Sequence, residues 1–521
     1  MGMSIIPNSK QSKGHSFVVA SGHRLASLEA LKVLKSGGNV VDAAVAGAAV
    51  LSVVLPYACG LGGDVYILFR DASTGKVHGL NGTGCAPSRT TEDTFGSNLP
   101  RRGINSATIP GMVKGWDDAV SRFGNKKLGT LLQPAIEYAN SGFAAHPAYI
   151  SNTLANFDLL KKNKYASEIF LPDGKAHRVG ETVRQPSLAK TLQRIAKNGT
   201  DEFYNGETTR LIMEDVKRQN GLLKLEDFKH HSSLWQNPIY ANFCGYDVVT
   251  MPPNSWGITL PLQLIELEAQ NITNCDPSDP EFMIRGFRAR QIAYKAVADY
   301  IGDPSLTEAG AIEILHQAVS GTTLRHERNK DMPEESCGSD TSNIVVADKS
   351  GNAVSLIQSI STPYGSGVVA GDTGILMNNR MQGFTSNKES RNCIGPSKRP
   401  AHTLAPALIL KNDEFYMSVG TPGAPGQTCT MAQFLTRVLG YGEDISNAVL
   451  APRWSVNFKG EPIVENAISK KFLDNLNVAN SRFYSEEVGW ISFGSIKAAV
   501  LEQGKLSGVA DGRRVADTLG Y

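Results

Sequence analysis

The feature that most constrains the fold of this chain is an abrupt change in its hydrophobic pattern just before the last third of the sequence. Residues 321–340, GTTLRHERNKDMPEESCGSD, are polar and charged and have no apolar period, which is typical of an exposed, mobile loop. A strand rich in Ile and Val follows at once at 341–348. A turn at 349–352 then leads into a partner strand at 353–360. The pattern therefore predicts a β-hairpin that begins at Thr341.

The two sides of this polar stretch differ in hydrophobic period. Before it, helical spacing dominates, as at 23–35, 188–196 and 284–298. After it, short apolar runs alternate with glycine-rich turns at 365–374 and 420–426. The sequence thus predicts an α-rich first part and a β-rich last third, which is an α+β fold.

Charge, apolar runs and cysteine spacing narrow the class of protein. The chain has 52 Lys and Arg against 50 Asp and Glu, so no overall field favours nucleic acid or an anionic membrane. Its longest apolar run, 40–55, contains Asp42 and is too short to span a bilayer, which predicts a buried helix. The seven cysteines are widely spaced without a CxxC pair, so neither a zinc site nor a disulfide framework is expected. Together with an N-terminus that lacks a signal-peptide pattern, this predicts a cytoplasmic protein.

A threonine that opens a strand after a polar loop can serve as an N-terminal nucleophile. A hydroxyl attacks poorly unless a base takes its proton, and the α-amine of a chain-terminal residue can be that base. The unperturbed pKa of an α-amine, roughly 7.7 to 8.0, leaves a neutral fraction at physiological pH. Cleavage after Asp340 would expose this amine on Thr341, whose hydroxyl can itself attack the Asp340 carbonyl. On this pattern alone, an ordinary β-forming threonine is the alternative.

A series of short motifs, many of them containing glycine or proline, is spread along the chain. The glycine cluster at 60–63 lacks the Lys-Ser/Thr of a phosphate-binding loop and leads into a strand, so it predicts tight backbone packing. The segments are GGNVVDAA at 37–44, GLGG at 60–63, IPGMVKG at 109–115, GDP at 302–304, DKSGNAV at 348–354, GSG at 365–367, GILMNN at 374–379, KRP at 398–400, AP at 405–406 and GTPG at 420–423.

With the Thr341 hairpin, these segments resemble the γ-glutamyltransferase family, also called glutathione hydrolases, over nearly the whole chain. Their number and order place the family's catalytic threonine on Thr341. The resemblance implies an N-terminal nucleophile hydrolase fold, a four-layer αββα sandwich. One precursor would be cut into a large chain, residues 1–340, and a small chain, residues 341–521, which form one folded unit. It also implies a self-processing amide hydrolase that works through an acyl-enzyme and needs no metal or organic cofactor.

The resemblance assigns roles to individual residues as well. Ser359 matches a second hydroxyl residue that supports the nucleophile, with an ordinary strand serine as the alternative. The family's oxyanion hole consists of two backbone N–H groups in a Gly-Gly turn, which here fall on Gly423 and Ala424. Main-chain donors tolerate alanine if the backbone geometry persists. Arg513 and Arg514 cannot be placed by chemistry alone, although the family ends in a comparable Asp-x-Arg turn that packs near the site.

The carboxylate clamp of the family is missing. True γ-glutamyltransferases bind the α-carboxylate of the γ-glutamyl group with an arginine in an Arg-Glu-x-Ala-Pro segment and with a pair of serines. Thr83 stands at the arginine position, and His402 and Thr403 stand at the serine positions. His402 can contact substrate, and a satisfied structural histidine is the alternative. Glutathione is therefore a poor substrate candidate.

The ammonium clamp of the family is also replaced. The positions of its Asn, Gln and Asp are held by Ser361, Arg380 and Gly383. Losing an acid and gaining an arginine reverses the local charge, so a substrate ammonium would be repelled there. Arg380 suits a carboxylate, which a guanidinium can bind in a bidentate way. A structural salt bridge with one of the chain's acids is the alternative.

These departures make the sequence more similar to the oxamate amidohydrolases and glutathione-hydrolase-like proteins than to the transferases. We predict an amide hydrolase that acts on a small amide bearing a carboxylate, with the two chains of one precursor as its partners. Neither nucleic acid nor a membrane is expected as a partner, and a homo-oligomer is compatible with the sequence. Two alternatives stay open: a γ-glutamyltransferase or glutathione hydrolase, and an unprocessed, non-catalytic homologue that acts as a binding protein.

Overall fold

The computed structural model describes residues 8–321, 340–456, 461–466, 468–478, 483–486 and 491–521. The predicted mobile loop at 321–340 lies outside the described residues except for its two ends. None of the helices in the described ranges combines the length and hydropathy that crossing a bilayer requires.

Strands occur in both parts of the chain and are numbered in chain order. They are β1 (Ser9–Gly14), β2 (Phe17–Ser21), β3 (Asp64–Arg70), β4 (Val77–Gly82), β5 (Phe143–Ala144), β6 (Thr182–Val183), β7 (Leu234–Gln236), β8 (Ile239–Phe243), β9 (Tyr246–Thr250), β10 (Asp340–Asp348), β11 (Ala353–Ser361), β12 (Ala407–Lys411), β13 (Glu414–Gly420), β14 (Trp454–Val456), β15 (Pro462–Glu465), β16 (Tyr484–Glu486), β17 (Lys497–Glu502), β18 (Lys505–Asp511) and β19 (Asp517–Gly520).

Helices dominate the part of the chain before the polar stretch. The α-helices are α1 (Arg24–Lys35), α2 (Val40–Val54), α3 (Met112–Phe123), α4 (Leu128–Leu131), α5 (Gln133–Ser141), α6 (Pro147–Ala155), α7 (Phe157–Lys161), α8 (Lys164–Phe170), α9 (Pro186–Asn198), α10 (Asp201–Tyr204), α11 (Glu207–Arg218), α12 (Leu225–Lys229), α13 (Thr259–Ala269), α14 (Pro280–Val297), α15 (Pro304–Val319), α16 (Gln427–Leu435), α17 (Ile445–Leu450) and α18 (Lys470–Val478).

Two antiparallel sheets of seven strands each form the centre of the molecule. The first sheet has the order β19-β2-β10-β11-β3-β4-β7, and the second has the order β1-β18-β17-β13-β12-β9-β8. In the first sheet, β10, β11 and β19 follow the polar stretch in sequence, whereas β2, β3, β4 and β7 precede it. Strands from the two parts of the chain are therefore direct neighbours within one hydrogen-bonded sheet.

Hydrophobic side chains fill three interfaces between layers. Val345 and Ile357 of the first sheet pack against Leu408 of the second in the space between the sheets. The outer face of the first sheet is covered by α1 and α2. The outer face of the second is covered by α13, α14 and α16. This helix–sheet–sheet–helix stacking confirms the expected α+β, four-layer αββα sandwich.

The helix predicted from the apolar run at 40–55 is α2, and every residue in it is buried. The Asn39 side chain caps it, with Asp42 completing a capping box. Small residues let α2 lie close to the sheet, because a Cβ on Gly47 would come within 2.4 Å of Ile344 Cδ1 on β10. α2 therefore packs directly behind the strand that carries the predicted nucleophile.

Candidate active site

Thr341 lies at the irregular start of β10. Asp340 pairs with Ser361 of β11, and the register shifts between Asp340 and Ser342, so Thr341 sits in a β-bulge. The next residue, Ser342, points its hydroxyl toward the helical layer beside Gly22. The Thr341 side chain is buried, and its Oγ1 has no hydrogen-bond partner among the described residues. A hydroxyl in this state is available for reaction.

The peptide carbonyl of Asp340 is held by Ser359. The Ser359 hydroxyl donates to the Asp340 carbonyl oxygen over 2.6 Å, and the backbone N–H of Ser361 donates to the Ser359 Oγ over 2.8 Å. The second contact fixes the Ser359 oxygen as an acceptor, so its proton points at the carbonyl. This arrangement can polarise the carbonyl of the bond between Asp340 and Thr341.

The turn that carries the predicted oxyanion donors follows β13. Gly423 has φ 139° and ψ 20°, and Ala424 has φ 52°, a left-handed conformation that a non-glycine residue rarely adopts. The turn is braced because the Ser495 N–H donates to Thr421 Oγ1 over 2.8 Å. Successive N–H groups in such turns form concave sites that can bind an oxyanion. The backbone is thus shaped for the donor role, with alanine accommodated at the second position.

Close packing brings this turn toward β10. Gly420 is the last residue of β13, and a Cβ there would lie 2.8 Å from Asn343 Nδ2, two residues beyond Thr341. On its other edge, Gly420 pairs with Lys497 of β17. The start of the turn and the start of β17 therefore both border the inner face of β10.

On one side of the site, Asp64 holds two other side chains. Asp64 opens β3 opposite Ser359, and its Oδ2 lies 3.3 Å from both Arg380 Nε and His402 Nε2. Its Oδ1 accepts the Gly84 N–H over 2.9 Å. All three side chains are at most 5% exposed. The alternative interpretation of Arg380 as a salt-bridge partner is therefore observed, whereas a substrate contact by Arg380 stays a prediction.

Burial sets the protonation of this cluster. It lowers the pKa of His402 to about 4, helped by the Arg380 charge and opposed by Asp64. The Leu404 N–H donates to His402 Nδ1, so the neutral ring carries its proton on Nε2, toward Asp64. Burial also lowers the pKa of Arg380 to about 10, again opposed by Asp64. At neutral pH the cluster combines one carboxylate, one guanidinium and a neutral imidazole.

The remaining predicted substrate residues lie around this cluster. The Thr83 N–H and hydroxyl both donate to Asn81 Oδ1, over 3.1 and 2.7 Å, so the side chain that replaces the family arginine is satisfied within the fold. Thr403 Oγ1 is buried and has no hydrogen-bond partner in the described part of the chain. Ser361 Oγ accepts from Gln382 Nε2 over 2.8 Å. Of these residues, Ser361 is the one that lies directly opposite Asp340.

The sequence alone does not place Arg514, and the structure puts it beside the peptide bond between Asp340 and Thr341. Arg514 Nη1 lies 2.7 Å from Asp340 Oδ1, with the two side chains 17% and 9% exposed. Its neighbour Arg513 is fully buried against Glu465 and Asp511 and belongs to the core. The two adjacent arginines were visible in the sequence, but only the folded structure shows that Arg514, and not Arg513, contacts Asp340 of β10.

Lys497 is a second buried cation on this side. Its Nζ donates to the Ser495 carbonyl and hydroxyl over 2.9 and 3.0 Å. Burial lowers the pKa of Lys497 to about 7, the charges of Asp511 and Asp340 raise it, and Arg514 lowers it. Arg514 therefore contacts the Asp340 carboxylate directly, and Lys497 interacts with it electrostatically. In the described ranges, no group of three or more His, Cys, Asp or Glu side chains is arranged to hold a metal ion.

Two stacked sheets between helical layers, with a hydroxyl residue leading a central strand, define the N-terminal nucleophile hydrolase architecture. A family model described as Gamma-glutamyltranspeptidase matches residues 26–521, so the chain belongs to that family. The resemblance expected from the sequence is thereby confirmed, and the chain is an enzyme of this family of amide hydrolases and transpeptidases.

Similar proteins include several kinds of amide-cleaving enzyme. The "glutathione hydrolase-like YwrD proenzyme" of Bacillus subtilis is 36% identical over 442 residues, covering 84% of each chain. The "oxamate amidohydrolase proenzyme" of Klebsiella pneumoniae is 31% identical over 462 residues, covering 84% of this chain and 85% of the relative. The crystal structure of cephalosporin acylase from Bacillus halodurans matches with a TM-score of 0.88 at 29% identity, over 100% of this chain and 98% of that one.

Proposed function

We propose that this protein is a self-processing amide hydrolase whose nucleophile is Thr341 and whose substrates are small amides that bear a carboxylate. The observation that carries the proposal is the geometry of one peptide bond. A buried hydroxyl without a hydrogen-bond partner among the described residues follows a carbonyl that Ser359 holds at 2.6 Å. Similar proteins named as proenzymes support the same conclusion. Residues 1–340 and 341–521 would be the two chains of the mature enzyme.

Processing requires one transfer and one hydrolysis. Thr341 Oγ attacks the Asp340 carbonyl carbon, its proton passes to the Thr341 nitrogen, and the C–N bond breaks to leave an ester between Asp340 and the Thr341 hydroxyl. Water then hydrolyses this ester, which releases the α-carboxylate of Asp340 and restores the Thr341 hydroxyl. The products are a new C-terminus at Asp340 and a free α-amine on Thr341.

Turnover uses the same hydroxyl with the new amine as its base. The α-amine takes the proton from Oγ, Oγ attacks the substrate carbonyl carbon, and the N–H groups of Gly423 and Ala424 stabilise the oxyanion. The leaving amine takes the proton as the C–N bond breaks. Water, deprotonated by the α-amine, hydrolyses the acyl-enzyme and releases the acid.

The charges around the site support a substrate that bears a carboxylate. The residues that would bind a γ-glutamyl group are replaced, and arginines border the site on both sides. A carboxylate on the substrate is the chemistry that such guanidinium groups recognise. Arg380 stays a candidate ligand because its Nη2 makes no hydrogen bond within the described residues, although Asp64 already balances its charge.

The state of the cysteines bears on the cellular compartment. Within the described part of the chain, the cysteines at 59, 85, 244, 275 and 393 form no disulfide. Unpaired thiols suit a reducing compartment, which favours the cytoplasm.

Denaturing gels and N-terminal sequencing of purified protein test the proposal. We expect two bands that end and begin at Asp340 and Thr341, full-length chain alone for Thr341→Ala, and two bands again for Thr341→Ser, which keeps a hydroxyl. The processed protein should release ammonia or amine from a panel of small amides. A single full-length band for the unmodified chain after long incubation would overturn the proposal.

A further inference from the structure

We propose that the side-chain carboxylate of Asp340 carries the proton of the self-cleavage reaction, from the Thr341 hydroxyl to the Thr341 nitrogen. The inference rests on the proposed function, because it requires Thr341 to attack the Asp340 carbonyl. Asp340 is then a catalytic residue of processing alone. It has no part in the later turnover of substrate, in which the free α-amine is the base.

Cleavage through an ester needs a group that can hold a proton for a time. The proton must leave the Thr341 hydroxyl and arrive at the nitrogen of the same residue, and a direct path would bend the O–H···N angle far below the preferred range. The lone pair of the nitrogen is also engaged in peptide resonance until the carbonyl has been attacked. A positioned group that takes the proton first and returns it later therefore speeds the reaction.

The Asp340 carboxylate already contacts the nitrogen that must receive the proton. Thr341 has no partner in the register between β10 and β11, which shifts at this point. Its backbone N–H donates to Asp340 Oδ1 over 2.9 Å. The carboxylate therefore lies within hydrogen-bond distance of one of the reacting atoms.

The Thr341 hydroxyl can reach the same carboxylate by rotation about χ1. Its Oγ1 is buried but is not held by a hydrogen bond to any of the described residues. Two of the three staggered rotamers place Oγ gauche to the Thr341 nitrogen. In such a rotamer the hydroxyl and the carboxylate lie beside the same nitrogen, and an O–H···O contact between them can tighten as the reaction begins.

Two further contacts hold Asp340 in this arrangement. The Ser359 hydroxyl donates to its carbonyl oxygen over 2.6 Å, and Arg514 Nη1 donates to its Oδ1 over 2.7 Å. The first contact is placed where negative charge develops, and the second fixes the orientation of the carboxylate. The Asp340 side chain is only 9% exposed, so the protein, and not bulk water, surrounds the proton carrier.

The steps balance over these atoms. The carboxylate takes the hydroxyl proton as Oγ forms a bond to the Asp340 carbonyl carbon, whose oxygen becomes an oxyanion beside the Ser359 hydroxyl. The carboxylic acid then gives this proton to the Thr341 nitrogen, the C–N bond breaks, and the carbonyl re-forms as the ester. The carboxylate is regenerated, and no other reactant is consumed until water hydrolyses the ester.

The rates at which Asp340 variants are cleaved test the inference. The measurement is the disappearance of full-length chain on denaturing gels after rapid purification. Asp340→Asn keeps the size of the side chain and an oxygen that can accept the Thr341 N–H, but its amide cannot take up the proton. We expect it to be cleaved about 100- to 10,000-fold more slowly than the unmodified chain.

Asp348→Asn is the matched control. Asp348 lies at the other end of β10, and its carboxylate also accepts backbone N–H groups, those of Ser350 and Asn352 over 2.9 and 3.0 Å. We expect this variant to be cleaved at the unmodified rate. If Asp340→Asn fails to fold, as judged by its urea denaturation, Asp340→Ala takes its place with the same expected loss.

Two measurements separate proton transfer from a purely structural role. Asp340→Glu restores a carboxylate on a longer side chain and should be cleaved faster than Asp340→Asn. Once Asp340→Asn has been cleaved on long incubation, its kcat and KM per free Thr341 α-amine should equal those of the unmodified enzyme. The substrate for this comparison is the small amide that the unmodified enzyme hydrolyses fastest.

Three outcomes would overturn the inference while leaving the proposed function intact. One is cleavage of Asp340→Asn at the unmodified rate, which would mean that water carries the proton. The second is a rate for Asp340→Glu no higher than that for Asp340→Asn, and the third is a lowered kcat in cleaved Asp340→Asn. Failure of the proposed function would look different, because the unmodified chain itself would stay a single full-length band.

Discussion

Two aspartate–arginine contacts flank the start of β10, and they differ in permanence. Asp64 meets Arg380 at 3.3 Å on the β3 side, and Asp340 meets Arg514 at 2.7 Å on the other. Each joins an acid from residues 1–340 to an arginine from residues 341–521. Asp64 is held inside a strand, whereas Asp340 precedes the bond proposed to be cut. The first contact thus lies within the fold, whereas the second lies next to the proposed cleavage site.

The surroundings of the two acids match this difference. Asp64 is contacted by the Gly84 N–H, Arg380 and His402, all of which persist in a cleaved molecule. Asp340 is contacted by Arg514 and by the N–H of Thr341, and the latter belongs to the peptide bond itself. Cleavage would turn this N–H into an amine that is no longer tethered to Asp340. The surroundings of Asp340 would therefore change when the bond is cut, whereas those of Asp64 would not.

The largest effect is expected from Asp64→Ala. It leaves the buried Arg380 charge without its carboxylate, which costs about 3 to 5 kcal/mol in the free energy of unfolding. Urea denaturation should be measured in the Thr341→Ala background, so that every sample is uncleaved. A loss below about 1 kcal/mol would show that Arg380 does not depend on Asp64.

The free energy of unfolding should also depend on pH through His402, which shares Asp64 with Arg380. Because the pKa of His402 falls from 6.5 to about 4 on folding, the unfolded chain binds the extra proton between these values. The stabilisation is complete above pH 6.5 and is lost as pH falls from 6.5 through 4, by about 3 kcal/mol. His402→Gln should flatten this part of the stability curve, whereas His230→Gln, at an exposed position, should not. Identical curves for His402→Gln and the unmodified chain would contradict the assignment.

Ser359→Ala should slow cleavage of the precursor. It removes the hydrogen bond to the Asp340 carbonyl, and we expect a rate about 10- to 100-fold lower, the effect of losing one donor to a reacting carbonyl. Ser359→Thr, which keeps the hydroxyl, is the control. The measurement is the rate at which full-length chain disappears after purification, and an unchanged rate would exclude this role.

The smallest effect is expected from Asp340→Ala, also in the Thr341→Ala background. Arg514 is 17% exposed and can turn toward water, so the unfolding free energy should change by about 1 kcal/mol or less. Paired with Asp64→Ala, this variant tests the difference between the two contacts directly. Equal losses in both would mean that the Asp340 contact is as structural as the Asp64 contact.

Patterns local in sequence were predicted well. The Thr341 hairpin follows from the end of a polar stretch and two β-branched runs, and the α2 helix follows from its apolar run and its cap. The glycine cluster was correctly read as tight packing, since a Cβ on Gly62 would lie 2.2 Å from the Leu376 carbonyl and one on Gly63 2.3 Å from that of Ser359.

Contacts between distant segments could not be predicted in this way. Arg514 and Asp340 are 174 positions apart, and they meet because β18, β19 and β10 enter the core from different parts of the chain. Asp64 follows the glycine cluster directly in the sequence, but its position at the start of a strand does not indicate which side chains it contacts. Its role as the shared partner of Arg380 and His402 depends on three segments that only the folded molecule brings together.

The strand order of the first sheet has a consequence for how the enzyme can be made. Residues 341–521 contribute β19, which pairs with β2, and the hairpin of β10 and β11, which pairs with β2 on one side and β3 on the other. Two separately produced pieces would each expose the strand edges that form these pairs, which favours aggregation. Synthesis as one polypeptide supplies the effective concentration that lets these edges find one another before the chain is opened. The covalent link between the two segments would therefore be needed for folding and could be dispensed with afterwards, at the proposed cleavage after Asp340.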